Sequence, residues 1–303
     1  MDEVRRMVTG TTQNLGVMGW PIAHTLSPAM QNAAIEKAGV DAVYTAFAVE
    51  PAGLSLAVAG LRALHFRGWN VTIPHKQVIM DTLDEIDEDA AVIGAVNTVV
   101  NDGGRLKGYN TDVIGFLDAL KAAGYDPAEK NVVLLGAGGA ARAALWGLMK
   151  SHAMRVTIGV RHPEKAEALI EDFAARASLL GTKLMACHWE TDAFRGAFSH
   201  ADLVVNVTPL GMTPHTDDKP PIDWREAKPD AFAYDIIYTP EETRFLHEAK
   251  ALGHQTLNGE DMLVLQGAAS FRLWFGREAD TGIMKQVLRQ QLDGASLSGH
   301  VQD

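Results

Sequence analysis

Apolar residues along this chain fall into short runs that alternate with longer amphipathic segments. Leu15-Gly16-Val17-Met18 reads as a strand, and Ala42 to Val49 alternates as another. Ser27-Pro28 opens a helix through Ala38, with Ser27 as N-cap and Pro28 at the first helical position. Leu54 to Leu64 has helical spacing, and Gly68 to Val71 is a strand again. Val96 to Val100 and Arg105 to Gly108, joined through Asn101-Asp102-Gly103-Gly104, predict a hairpin. Asn110-Thr111-Asp112 then caps a helix to Ala123, which Gly124 ends.

Beyond this point the alternation becomes regular. Strands are predicted at Val132–Leu135, Met154–Val160, Leu203–Val207, Ala231–Ile237 and Thr256–Leu257. Helices are predicted at Ala140–Lys150, Pro163–Leu180 and Glu241–Leu252. The pattern predicts an α/β fold in which a parallel, Rossmann-like sheet carries helices on both faces. After Asp261 the spacing is helical, and these closing helices are expected to pack back on the first domain.

At 303 residues two cores are expected. The expected domains are 1–113 for the substrate and catalysis, 114–260 for a dinucleotide, and 261–293 for the returning helices. Residues 294–303 are small and polar and expected to fray. A net charge of −11 argues against nucleic-acid and anionic-membrane partners. The one cysteine, Cys187, excludes an internal disulfide framework and reads as a buried thiol in a reducing cytoplasm. The first ten residues hold no apolar signal core, and no run approaches the ~18 apolar residues of a spanning helix.

The junction at Gly136 carries the first chemistry. Val132–Leu135 runs into Gly136-Ala137-Gly138-Gly139-Ala140, and a helix follows. A glycine turn there presents free backbone N–H groups at a helix N-terminus, where a pyrophosphate can bind. In such a fold the end of the second strand chooses the cofactor: an acid binds a ribose hydroxyl, an arginine a 2′-phosphate. Here the strand ends in Gly159-Val160-Arg161-His162, so NADP is favoured and NAD remains possible. Lys165 assists the phosphate or is a solvated first-turn charge, and Glu164 complements the helix dipole.

Polar residues at strand ends of the first domain suggest the substrate side. Asn70, Thr72 and Lys76 surround a strand that terminates at Pro74, a set suited to a polyhydroxylated anion. Lys76 is a proton-transfer group or a surface lysine after a turn. Asp112 caps a helix or partners that lysine, and Asn97 falls on a strand, where an amide is otherwise unhelpful. His24, Thr25 and Ser27 precede the first helix, whose N-terminal amides and hydroxyls suit a carboxylate. The chain has no His-x-x-x-His or cysteine cluster for a metal, no nucleophile elbow and no Walker-type lysine. Hydride transfer requires a cofactor, a held carbonyl and a proton donor.

From about Thr9 to Leu292 an ordered set of short motifs resembles the shikimate dehydrogenases. It comprises Gly19-Trp20-Pro21-Ile22-Ala23-His24-Thr25-Leu26-Ser27-Pro28, Asn70-Val71-Thr72-Ile73-Pro74-His75-Lys76, Gly94-Ala95-Val96-Asn97-Thr98 and Gly108-Tyr109-Asn110-Thr111-Asp112. After the glycine turn come Asn206-Val207-Thr208-Pro209-Leu210-Gly211-Met212, Tyr234-Asp235-Ile236-Ile237-Tyr238 and Asn258 to Ala268. The resemblance implies reversible reduction of 3-dehydroshikimate to shikimate by NADPH, in the pathway to aromatic amino acids. It implies Lys76 as acid/base with Asp112 as its partner on the reacting oxygen. Thr25 and Ser27 would bind the carboxylate; Asn70, Thr72, Asn97, Tyr238 and Gln266 would bind the ring substituents. Gly136, Ala137, Gly138, Gly139, Ala140 and Arg161 would hold cofactor phosphates, with Ile236 and Gly259 near the nicotinamide and Glu88 beside the cofactor.

Two departures open alternatives. Thr25 stands where the family usually has serine, adding a methyl that bears on the choice between shikimate and quinate. Around Arg161 only the arginine of the family's Asn-Arg-Thr is kept, which bears on NADP preference. A quinate/shikimate dehydrogenase using NAD or both cofactors is therefore the second reading. A non-catalytic dinucleotide-binding protein is the third, and retention of Lys76 and Asp112 argues against it. Small molecules are the expected ligands, of a monomer or homodimer.

Overall fold

The first unit is built on β1 (Gln13–Gly19), buried from Leu15 to its end as a central parallel strand must be. The computed structural model describes residues 8–298, with side chains for residues 8–293. The chain continues through α1 (Ser27–Lys37), β2 (Ala42–Ala48), α2 (Leu54–Ala63) and β3 (Gly68–Val71). Then come β4 (Glu85–Ile86), α3 (Glu88–Ile93), β5 (Thr98–Asp102) and β6 (Arg105–Tyr109). They form a mixed sheet in the order β2-β1-β3-β5-β6-β4. β5 and β6 make the predicted hairpin, its turn closed by Gly104 N–H donating to Asn101 Oδ1 at 2.9 Å. Trp69, Met18, Val71, Val99 and Leu106 pack against Leu54, Val58 and Leu61 of α2.

Two expectations are corrected here. Leu26, not Ser27, is the N-cap of α1. A capping side chain needs extended backbone, and Ser27 is already helical, so its hydroxyl meets Thr25 instead. Asn97 lies one residue before β5 rather than on it. Its N–H donates to Tyr109 O and its carbonyl accepts from Val71 N–H, opening the ladder.

The second unit spans Asp112–Leu265. It contains α4 (Asp112–Ala122), β7 (Asn131–Leu135), α5 (Gly139–Lys150), β8 (Arg155–Val160), α6 (Pro163–Leu180) and β9 (Lys183–His188). It continues with α7 (Asp192–Ser199), β10 (Leu203–Asn206), β11 (Phe232–Asp235), α8 (Arg244–Ala251) and β12 (Thr256–Leu257). All pairings are parallel, in the order β9-β8-β7-β10-β11-β12. That is the doubly wound order, whose direction reverses between β7 and β10, where ligands of such sheets bind. β9 was not predicted; Lys-Leu-Met-Ala-Cys-His contains no β-branched residue and forms an edge strand. Cys187, on this strand, is buried.

Asp235 fixes the carboxyl end of this sheet. The side chain is fully buried and accepts from Ile237 N–H (3.0 Å), the Thr243 hydroxyl (2.7 Å) and Asn206 Nδ2 (3.2 Å to each oxygen). Ile237 N–H is thereby turned away from the sheet, so β11 ends at Asp235 and not at the expected Ile237. Thr243 also caps α8, accepting from Leu246 N–H at 3.4 Å, so this helix starts at Arg244 rather than Glu241.

α9 (Glu260–Phe275) and α10 (Thr281–Ser298) close the chain, and residues from Gln266 onward belong with those up to Thr111 in the first unit. α10 packs along α1. Trp274 is the anchor: its indole N–H donates to Val99 O (3.0 Å) and its carbonyl accepts from Arg67 Nε (2.8 Å). α10 reaches Ser298, so the first part of the segment expected to fray from Gly294 is helical, while 299–303 lie outside the described residues.

Two outcomes follow from this packing. Trp274→Ala deletes a fully buried side chain and is expected to cost about 3–5 kcal/mol; an unchanged denaturant midpoint would refute the anchoring role. Burial pushes the Asp235 carboxyl up to about 6, its hydrogen bonds offsetting only part of that. The folded protein thus keeps this proton to higher pH than the unfolded chain, and ionisation costs stability as pH rises through 6. Relative to Asp235→Asn, the wild type should gain about 1.4 kcal/mol from about pH 8 to about pH 5. Parallel unfolding curves at the two pH values would contradict it.

Candidate active site

Three of the expected substrate residues meet in one buried cluster of the first unit. Asn70, at the centre of the sheet on β3, receives the Tyr44 hydroxyl on Oδ1 at 2.6 Å. Its Nδ2 faces Asn97 O (3.1 Å), Thr98 Oγ1 (3.0 Å) and Ser270 Oγ (3.0 Å). Asn97 Nδ2 donates to Thr111 Oγ1 at 2.9 Å, and Asn97 Oδ1 accepts from Thr111 N–H at 2.8 Å. Thr111 Oγ1 lies 3.5 Å from Gln266 Oε1 and 3.2 Å from Ser270 Oγ. Such a network is tolerable in a core only when its members satisfy one another, and it then fixes them in one arrangement.

Sequence reasoning missed Tyr44, Thr98, Thr111 and Ser270 as members of this cluster. Thr98 and Thr111 adjoin residues already singled out, and Ser270 falls one helical turn after Gln266, on the same face of α9.

Lys76 and Thr72 share the loop that leaves β3. Thr72 N–H donates to Met18 O and its carbonyl accepts from His75 N–H, both at 2.9 Å. His75 is buried, its Nε2 2.7 Å from Val49 O. The Lys76 carbonyl accepts from Val96 N–H at 2.7 Å, which sets the lysine's backbone against the residue before Asn97. Thr25 and Ser27 stand half-buried at the start of α1. Thr25 Oγ1 is 3.3 Å from Ser27 Oγ and accepts from Ser27 N–H at 3.4 Å. Neither hydroxyl stands at the N-cap; with Ser27 N–H met by Thr25 and Pro28 lacking an N–H, it is the two hydroxyls at the positive end of the helix that suit an anion.

The remaining substrate candidates belong to the second unit. Asp112 is the first residue of α4, directly after Thr111 in the chain. Tyr238 follows β11, and burial pushes its hydroxyl up, keeping it a neutral donor.

The same unit presents the features of a dinucleotide site. Gly136 has φ +114°, and a Cβ there would lie 3.0 Å from Thr208 Cγ2 and 3.3 Å from Val207 Cγ2. Only glycine permits this backbone in this space. Ala137 and Gly138 follow, Gly138 is the N-cap of α5 without a side-chain bond, and Gly139 and Ala140 form its first turn. The helix therefore opens on unmet N–H groups at the point where the sheet order reverses. Arg161 follows β8, exposed; among the described residues neither its side chain nor that of exposed Lys165 has a hydrogen-bond or ion-pair partner. A free arginine beside the second strand fits a 2′-phosphate. Gly259 N–H donates to Ile237 O at 2.9 Å, and a Cβ on Gly259 would lie 1.9 Å from Ile236 O, so the two backbones touch. Glu88, exposed at the start of α3, belongs to the first unit, whereas the rest of the expected cofactor set belongs to the second.

Comparisons with known proteins agree with this architecture. Residues 17–99 match the shikimate dehydrogenase substrate binding domain, and residues 259–289 the shikimate 5′-dehydrogenase C-terminal domain. The chain is 46% identical to shikimate dehydrogenase (NADP(+)) of Moorella thermoacetica, over 96% of this chain and 97% of that one. Shikimate 5-dehydrogenase from Listeria monocytogenes, in complex with shikimate and NAD, superposes with a TM-score of 0.89 at 35% identity. That match covers 95% of this chain and 100% of that one. The enzyme from Thermus thermophilus, in complex with NADP(H) and shikimate, gives 0.82 at 36% identity, over 92% and 99% of the two chains. With these matches spanning both units, the chain belongs to the shikimate dehydrogenase family.

Proposed function

We propose that this chain reduces the ketone of 3-dehydroshikimate to shikimate, reversibly, with NADPH. The reading is supported chiefly by the buried cluster that joins Asn70, Asn97 and Gln266 beside the Lys76 loop. A hydroxyl-rich ring needs amides and hydroxyls fixed in advance, because each unmet buried polar group costs about 1–3 kcal/mol. Asn70, Asn97, Thr72, Tyr238 and Gln266 take the ring hydroxyls. Thr25 and Ser27, at the positive end of α1, take the carboxylate, which the helix dipole favours.

Gly136, Ala137, Gly138, Gly139 and Ala140 receive the pyrophosphate, and Arg161, with Lys165 nearby in sequence, the 2′-phosphate. Ile236 and Gly259 flank the nicotinamide, and Glu88 borders the cofactor. The bound cofactor supplies the hydride. Lys76 gives a proton to the ketone oxygen as that oxygen gains electron density, and takes it back in the reverse direction. Asp112 accepts the new hydroxyl and holds it toward the lysine. No metal is needed for this polarisation, since an ammonium hydrogen-bonded to the oxygen stabilises the developing charge. A cytoplasmic setting, in aromatic amino acid biosynthesis, goes with this reaction.

Lys76→Ala should lower kcat by ~10²-fold or more while leaving the circular dichroism unchanged; wild-type turnover would remove Lys76 from the chemistry. Arg161→Ala should raise the KM for NADP by about tenfold or more and leave that for NAD nearly unchanged, the scale of a lost charged hydrogen bond. Equal loss for both cofactors would remove the arginine from the phosphate. Initial rates with shikimate and quinate, each with NADP and NAD, test the substrate. Comparable rates with quinate and NAD would replace this reading by a quinate/shikimate dehydrogenase.

A further inference from the structure

Two buried groups hold Asn70 without themselves belonging to the proposed substrate set. Tyr44, on β2 and 1% exposed, gives its only proton to Asn70 Oδ1 at 2.6 Å. Burial holds this phenol far above its ordinary value, so it stays a donor. Its ring lies 5.9 Å from that of Trp274, the anchor of α9. On the other side of the amide, Asn97 O can only accept, so Nδ2 must face it.

Ser270 completes the clamp. Its hydroxyl is fully buried, donates to Gln266 O at 3.0 Å, and lies 3.0 Å from Asn70 Nδ2. It also lies 2.8 Å from Thr98 Oγ1 and 3.2 Å from Thr111 Oγ1. One hydroxyl thus touches the segments that carry Asn70, Thr111 and Gln266. Apolar packing alone would tolerate alanine there.

We propose that Tyr44 and Ser270 are positioning residues for substrate recognition: Tyr44 fixes the orientation of the Asn70 amide, and Ser270 registers α9, and with it Gln266, against that amide. The inference rests on the proposed placement of the substrate against Asn70. Loss of the Tyr44 hydroxyl leaves Oδ1 without its donor, and loss of the Ser270 hydroxyl removes one of the three acceptors around Nδ2 and with it the hold of α9 on the amide, so the arrangement of Asn70 and Gln266 that a ring hydroxyl requires is no longer fixed. The loss falls on binding, in ground state and transition state alike, and not on the proton or hydride steps.

Steady-state kinetics of Tyr44→Phe and Ser270→Ala, alone and each combined with Asn70→Ala, test this. Each single variant should raise the KM for shikimate about tenfold, the scale of one buried hydrogen bond, with kcat within about twofold and the KM for NADP unchanged. In the Asn70→Ala background neither substitution should raise the shikimate KM further, because each acts through that amide. Two folded single variants with wild-type shikimate KM would overturn the proposal, as would fully additive effects in the double variants. A wild-type shikimate KM in Asn70→Ala itself would instead sink the substrate placement, and the proposal with it.

Discussion

An amide taken out of water must have its oxygen and both hydrogens met inside the protein, and the first unit is arranged around that requirement at Asn70. The residue lies on β3, between a parallel and an antiparallel neighbour, where an apolar side chain would pack without condition. Its partners come from β2, from the segment entering β5, and from α9. Three separate stretches of chain are therefore held to positions within a fraction of an ångström. Apolar packing around Trp69 and Trp274 supplies the cohesion, but it is the polar demand that makes the arrangement single-valued.

The second unit meets a different demand. Its central strands β7 and β10 are apolar throughout except at their ends, and at the carboxyl end of the sheet the polar groups gather. Asn206 and Asp235 close the ends of β10 and β11 on each other, while Gly136 gives up its side chain altogether. One end of the sheet is thus backbone-rich and the other ordinary. A charged, extended ligand is best accommodated where the main chain itself can be reached.

Much of this was legible in the sequence, and the reasons differ by element. The glycine turn was legible because strand, turn and helix are consecutive, so a local pattern contains the whole feature. Asn70 and Asn97 stood out as amides among apolar neighbours. Tyr44 and Ser270 did not: a tyrosine in an alternating strand and a serine among small helical residues both read as ordinary packing. Ser270 meets Asn70 across 200 residues of chain, and no local pattern encodes such a contact. Asp235 was visible within an apolar strand, yet its role depends on Thr243 and Asn206, which the fold alone brings to it. β9 escaped because edge strands are held by a single neighbour and need little β propensity of their own.

The first unit is discontinuous, since it needs residues from Gln266 onward, whereas the second is one continuous stretch. On the ribosome this inverts the usual order of maturation. The segment up to Thr111 waits, its Asn70 amide without Ser270 and its Val99 carbonyl without the Trp274 indole, until the residues from Gln266 onward emerge. Domains fold as units once their sequence is available, so the Asp112–Leu265 unit is free to form earlier. A chain cut short after this stretch would keep the glycine turn, Arg161 and Tyr44 but lack the Ser270 half of the clamp on Asn70. The step that completes the substrate side is thereby tied to a segment made only after the whole second unit has been synthesised.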